Sequence, residues 1–150
     1  MMLLSKRALL AVAAVVDVAV HARPSPVAAK ALASRHNLPP RHLETLLQSL
    51  VRANILKGVR GPKGGYELAR ERRRITMGEI VRVAILSEES DDAAAANASK
   101  LIASVVAPLV VEAGESLMTA LEAITVEELC KRSQHSGVFK GTAAEVDFTI

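Results

Sequence analysis

The stretch Ile55-Leu56-Lys57-Gly58-Val59-Arg60, Gly61-Pro62-Lys63-Gly64-Gly65, Tyr66-Glu67-Leu68-Ala69 decides the fold. Strand-like runs flank a Gly/Pro turn, so the segment reads as a β-hairpin. Its glycines allow positive φ and a close approach of backbone to a partner, while Arg60 and Lys63 supply charge. A phosphate-cradling nucleotide loop is the rival reading. Such loops pass from a strand into a helix, and here the glycines lead into another strand.

Immediately upstream, Leu43, Leu46, Leu47, Leu50 and Val51 recur at the spacing of a helix packed on one side. Its other face carries Arg41, His42, Glu44, Thr45, Gln48 and Arg52. A tight connection, His36-Asn37-Leu38-Pro39-Pro40, joins it to a short helix expected to start with Ser25 as N-cap and Pro26 at its first position and to end near Arg35. Short helices joined by a tight turn, the second polar on its outward face, suggest a helix-turn-helix. The hairpin that follows is then a wing beside a candidate recognition helix.

Further upstream, Leu9, Val12, Val16, Ala19 and Val20 fall along one face of an amphipathic helix. Lys6 and Arg7 followed by an apolar run and Val20-His21-Ala22 imitate a secretory signal peptide. Asp17 interrupts that run, which also falls short of the ~20 residues of a membrane span.

Downstream of the wing, the basic run Arg70 to Arg74 reads as solvated surface. Thr76-Met77-Gly78-Glu79 is a capping box that opens a helix through Val83 to Leu86. Residues 87–98, acidic and then Ala-rich, read as a linker passing into helix. Pro108 would break a continuous helix but suits the first turn of a new one. Val110, Ala113, Leu117, Leu121 and Ile124 then follow near a/d spacing, and Thr125-Val126-Glu127-Glu128 caps a closing helix. An apolar stripe on a helix outside a small domain usually finds a partner, so Val110, Ala113, Leu117 and Leu121 are candidate dimerisation residues, with packing on the DNA-binding half as the alternative.

The expected architecture is mostly α with a small β-hairpin wing: a winged helix-turn-helix plus a long dimerisation helix. The expected organisation is a DNA-binding domain over 1–83, a linker and dimerisation helices over 84–133, and a C-terminal tail over 134–150. Charge supports this division, because residues 1–83 hold 15 Lys/Arg against 5 Asp/Glu and residues 84–150 hold 4 against 11. A basic half joined to an acidic half is the footprint of a nucleic-acid-binding module attached to a different one.

Composition excludes several other classes. The chain has no Trp, one Tyr and two Phe, which leaves little for stacking single-stranded nucleic acid. Its lone cysteine, Cys130, permits neither an internal disulfide nor a thiolate-rich metal site, and a reducing cytoplasm is the expected setting. His21, His36, His42 and His135 show no metal-ligand spacing and read as solvent-facing or core-satisfied. No catalytic constellation can be placed, so an enzyme is not expected.

Together, Leu43-Glu44-Thr45-Leu46-Leu47, Val59-Arg60-Gly61-Pro62-Lys63-Gly64-Gly65-Tyr66, Ile75-Thr76-Met77-Gly78-Glu79-Ile80 and Ile124-Thr125-Val126-Glu127-Glu128-Leu129 resemble the IscR/NsrR, or Rrf-two, family of bacterial winged-helix regulators. The resemblance covers roughly residues 3 to 132. It implies a homodimer on double-stranded DNA, with the recognition helix in the major groove and the wing reaching the minor groove. Glu44 is then a base-reading candidate and Arg60 a wing contact, since a carboxylate accepts from cytosine N4 and arginine is drawn to a narrow minor groove. Arg41, where the family often has a small polar residue, adds a contact, and His42 and Thr45 share its face. Arg7, Lys57 and Lys63 are placed for phosphate.

Departures from the family are equally specific. Many members hold an iron-sulfur cluster on cysteines before the long helix, and none lies between Leu86 and Pro108, so no cofactor is expected. Leu10 replaces an aromatic common in the first helix, and Pro39 stands where Ser or Thr would cap the recognition helix. Signal input is expected from a small-molecule effector, a partner protein or Cys130 acting as a redox thiol, and no membrane partner is expected.

Overall fold

The computed structural model describes residues 3–96 and 99–139. Helix α1, Lys6–His21, opens on Ser5, whose hydroxyl accepts from the Ala8 amide at 3.2 Å. Its burial is not the single stripe that periodicity predicts: Ala8, Ala11, Ala14, Val15 and Val18 are buried with Val12 and Val16, whereas Leu9 is 38% exposed. The reason is position, because α1 packs against two later helices, Met77–Ala96 and Val126–Ser136, and against the wing. Small Ala and Val side chains suit a helix enclosed on most sides.

Helix α2 runs Ala29–Arg35, so the expected start at Ser25 and Pro26 is wrong. Val27 instead pairs with Tyr66, donating to its carbonyl at 2.9 Å and accepting from its amide at 2.8 Å. A helix beginning at Ser25 would forgo that pairing. Helix α3, Pro40–Arg52, buries Leu43, Leu46, Leu47 and Leu50 as the spacing predicts. Strands β1, Leu56–Val59, and β2, Gly65–Leu68, pair antiparallel with Lys57 opposite Glu67 and Gly58 opposite Tyr66. The turn between them needs Gly61, at φ +118°, where a side chain would be strained. At Gly65 a Cβ would strike the Val27 carbonyl, so only glycine lets the wing close onto α1's exit loop.

Arg72–Arg74 form a 3-10 turn, and the basic run around them is not uniformly solvated. Arg70 donates to the Asn54 carbonyl at 3.0 Å and to Glu79 at 3.2 Å, and Arg72 donates to the Ala19 carbonyl at 3.3 Å. Only Arg73 and Arg74 keep exposed heads. The capping box at Thr76 forms in both directions, with Thr76 N to Glu79 Oε2 at 2.9 Å and Glu79 N to Thr76 Oγ1 at 3.2 Å.

Helix α4, Met77–Ala96, continues through most of the segment expected as a linker. The run of alanines carries no breaker, and alanine is the strongest helix former. The helix therefore crosses the expected 83/84 boundary. Helical backbone resumes at Lys100 and widens into a π-turn, Ile102–Val106, before α5, Ala107–Glu122. Pro108 accordingly does not start a separate helix. In a regular helix its ring would press on the Ser104 carbonyl, and the π-turn, in which the Ala107 amide bonds Ile102 O, shifts that register.

Helix α6, Val126–Ser136, is capped by Thr125, whose hydroxyl accepts from the Glu128 amide at 3.2 Å. Glu128 turns instead to Arg132, at 3.0 Å, so this second box closes on one side. The starts of α4 and α6 are sewn together by Met77 N to Ile124 O at 2.7 Å and Val126 N to Ile75 O at 2.8 Å. The expected tail begins inside α6, and residues 140–150 of it lie outside the described residues.

Candidate nucleic-acid interface

Helix α3 is fixed by its leucines, which leaves Arg41, His42, Glu44, Thr45, Gln48 and Arg52 exposed on the outward face. All but Arg52 and Gln48 were singled out as contact residues, and the fold brings them to one surface near the helix start. Arg60 and Lys63 are exposed at the end of β1 and in the wing turn. Lys57 differs, because its ammonium lies 2.8 Å from Glu67 Oε1 across the hairpin. Arg7 is half-buried, with Nε donating to Ser87 Oγ at 2.9 Å. It lines a cleft of about 420 Å³ with Leu10, Leu38, Pro39, His42, Leu43 and Leu46, between α1 and the start of α3.

Sequence reasoning missed the best-connected group in this half of the molecule. Asp17 is 0% exposed. Its Oδ1 accepts from Arg35 NH2 at 2.6 Å and lies 3.0 Å from His21 Nδ1, and its Oδ2 accepts from Arg35 Nε at 2.8 Å and His36 Nε2 at 2.9 Å. Burial pushes the Asp17 carboxyl up, but the hydrogen bonds from His36 and Arg35 and the positive charge of Arg35 outweigh it and hold it below its ordinary value. The signal was present: a lone acid inside an apolar helix needs partners, and an Arg-His pair closes the next helix.

The apolar stripe of α5 divides. Leu121 is buried and Leu117 is half-buried, both packed into the core, so these candidate dimerisation residues serve the protomer's own interior. Arg82 and Glu122 clamp that end, Nε and NH2 reaching Oε1 at 2.9 and 2.8 Å. Val110 and Ala113 are exposed, and the open apolar surface extends backward through Leu109, Val106, Val105, Ile102 and Leu101, with Leu101 64% and Val110 63% exposed. Periodicity found the helix but not the point at which its neighbours stop covering it.

Cys130 is 3% exposed on α6. Burial pushes its thiol up, and the nearby Arg72 guanidinium does not offset this. A redox-sensing thiol needs the opposite shift and access to oxidant, so the Cys130 sensor reading loses its physical basis. His21 and His36 serve Asp17, while His42 and His135 are exposed.

A pair of helices joined by a tight turn, the second with a polar outward face, followed by a basic β-hairpin, defines a winged helix-turn-helix transcription regulator. Residues 4–132 match the family model Rrf2, iron-dependent transcriptional regulator, and the chain belongs to that family. It is 36% identical over 92 residues to the regulator IscR of Vibrio atlanticus, covering 61% of this chain and 51% of that protein. It is 41% identical over 70 residues to the HTH-type regulator slr0846 of Synechocystis sp., covering 47% and 48%. The chain thus spans about half the length of these relatives. Among solved structures, IscR of T. potens superposes with a TM-score of 0.69 at 32% identity over 90% of each chain. The cysteine regulator CymR of B. subtilis gives 0.65 at 25% identity over 88% of this chain and 98% of that one.

The family description implies iron, and the donor set here does not fit it. The chain has one cysteine, it is buried, and among the described residues no group of His, Cys, Asp and Glu is arranged to hold a metal ion. Asp17, His21 and His36 do converge, but the Arg35 guanidinium occupies both carboxylate oxygens and would confront any cation with its own charge.

Proposed function

We propose that this protein is a DNA-binding transcription repressor that acts in the cytoplasm as a homodimer on a roughly palindromic operator. The observation that carries the reading is the exposed polar face of α3, set on a leucine-packed base beside a wing whose exposed Arg60 and Lys63 are basic. Arg41, His42, Glu44 and Thr45 enter the major groove, Arg60 the minor groove, and Arg7, Lys57 and Lys63 meet phosphates. Phosphate contacts set affinity and register, and base contacts choose the site.

Dimerisation through Leu101 to Val110 would bury the apolar surface exposed along the π-turn and the start of α5. Ile102–Glu122 is also long and apolar enough to cross a membrane. Glu112, Glu115 and Glu122 lie within it, and carboxylates inside a bilayer are costly, which favours pairing with a second copy in water. Two-fold symmetry then places half-sites about one helical turn, or a multiple of it, apart.

Selection of bound fragments from a genomic DNA library tests the reading. Enrichment of one inverted-repeat sequence is expected. Recovery of fragments with no shared sequence at physiological salt would sink it.

A further inference from the structure

We propose that Asp17 is a positioning residue for operator recognition: from inside α1 its carboxylate holds Arg35 and His36, and so fixes the turn that aims α3. The inference rests on the reading of α3 as the recognition helix.

The turn has few local supports. Helix α2 is 7 residues long and starts without a side-chain cap, and the N-cap residue of α3 is Pro39, which offers no side-chain acceptor. Between them Asn37 takes a left-handed φ of 52°. Backbone bonds from Leu38 N to Ala33 O at 3.0 Å and from His36 N to Leu32 O at 3.0 Å shape the turn but do not tie it to the rest of the protein. Leucines hold the base of α3, but apolar contacts are non-directional and permit small rotations. Directional restraint comes from Asp17, whose paired oxygens take the last residue of α2 bidentately and the first residue of the turn singly. A bidentate carboxylate–guanidinium pair fixes angle as well as distance.

The hydrogen pattern makes the arrangement specific to a carboxylate. His21 Nδ1 lies 2.9 Å from the Asp17 carbonyl oxygen and 3.0 Å from Oδ1, both acceptors, so that nitrogen carries a hydrogen. His36 Nε2, at 2.9 Å from Oδ2, likewise donates. Among the described residues, the Arg35, His36 and His21 nitrogens that face the Asp17 carboxylate are therefore donors. Asparagine has nearly the same shape but would turn an NH2 group onto donors and leave one of them unpaired in a buried site.

Arg41, His42, Glu44 and Thr45 sit in the first turns of α3, directly after the restrained segment. Base-edge hydrogen bonds weaken steeply with misalignment, whereas flexible lysines follow a displaced phosphate. Loosening the turn should thus remove sequence discrimination before it removes DNA binding.

The test compares wild type, Asp17→Asn and Arg35→Lys on two duplexes, the operator that wild type selects and an unrelated sequence, at one salt concentration. Asp17→Asn is expected to weaken operator binding by about tenfold or more, with binding to the unrelated duplex changed less than about twofold. Arg35→Lys keeps the charge but loses the bidentate grip, so a smaller loss in the same direction is expected. The ring N–H signals of His21 and His36 in proton–nitrogen spectra should move in Asp17→Asn while the backbone spectrum stays folded. Equal losses on both duplexes in a folded variant, or no loss on either, would overturn the proposal. If Asp17→Asn does not fold, Arg35→Lys decides by the same ratio. A wild-type protein that selects no sequence would instead overturn the reading of α3, and this inference with it.

Discussion

Lys57 Nζ lies 2.8 Å from Glu67 Oε1, and the two residues are directly opposed in the antiparallel register of the wing. A cation that already faces a carboxylate has less charge to offer a phosphate. Lys63 sits in the exposed turn. Lys63→Ala should lower the salt slope of DNA binding by about one unit, and Lys57→Ala should lower it less. Glu67→Gln should strengthen binding to unrelated duplex. Anisotropy titrations across a salt series measure all three, and equal slopes for the two lysine variants would contradict this ranking.

Glu44 is an exposed anion on the face proposed to meet a polyanion. If it reads a base, Glu44→Ala should relax preference at one operator position by about 1–3 kcal/mol and leave nonspecific affinity equal or higher. The same consensus, selected with the same discrimination, would show that Glu44 is only a solvated helix residue.

Dimerisation should depend on the exposed start of α5 rather than on its buried end. Val110→Asp and Leu109→Asp are expected to give folded monomers in sedimentation runs. Leu121→Ala should lower stability by about 2–5 kcal/mol, because it leaves a cavity. Unchanged dimers in both Asp variants would place the interface elsewhere.

Because burial raises the Cys130 thiol, the residue should resist oxidation in the folded protein. Alkylation of the native protein should be on the order of tenfold or more slower than after denaturation. Operator affinity should be the same before and after mild peroxide, with and without Cys130→Ser. A peroxide response that vanishes in Cys130→Ser would restore the sensor reading.

The Asp17 carboxyl is held below its ordinary value of 3.8. A depressed folded pKa contributes stability that is present above the unfolded pKa and is lost as pH falls through the folded one. Wild-type stability should therefore hold at neutral pH and fall below about pH 4. Asp17→Asn should be less stable at pH 7, with the gap narrowing at lower pH. Denaturant midpoints across that range supply the measurement. A gap that stays constant with pH would show that the carboxylate's charge does not contribute.

Several elements were legible in the chain because local chemistry dictates them. The leucine spacing of α3, the Gly-Pro turn of the wing and the Thr76–Glu79 box each act within a few residues, where backbone geometry leaves little choice. The start of α2 was not legible, because the pairing of Val27 with Tyr66 joins residues far apart in the chain. Pro108 misled for a related reason: a π-turn accommodates it without ending the helix.

What the sequence by itself determined is the winged helix-turn-helix, the polar outward face of its second helix and the family to which the chain belongs. Only the tertiary structure decided which apolar residues of α5 remain open, that Lys57 is already paired, that Cys130 is buried, and that Asp17 grips the turn through Arg35 and His36. Periodicity reports which side of a helix is apolar. Burial and charge pairing depend on which distant elements arrive there, and those distances exist only once the chain has folded.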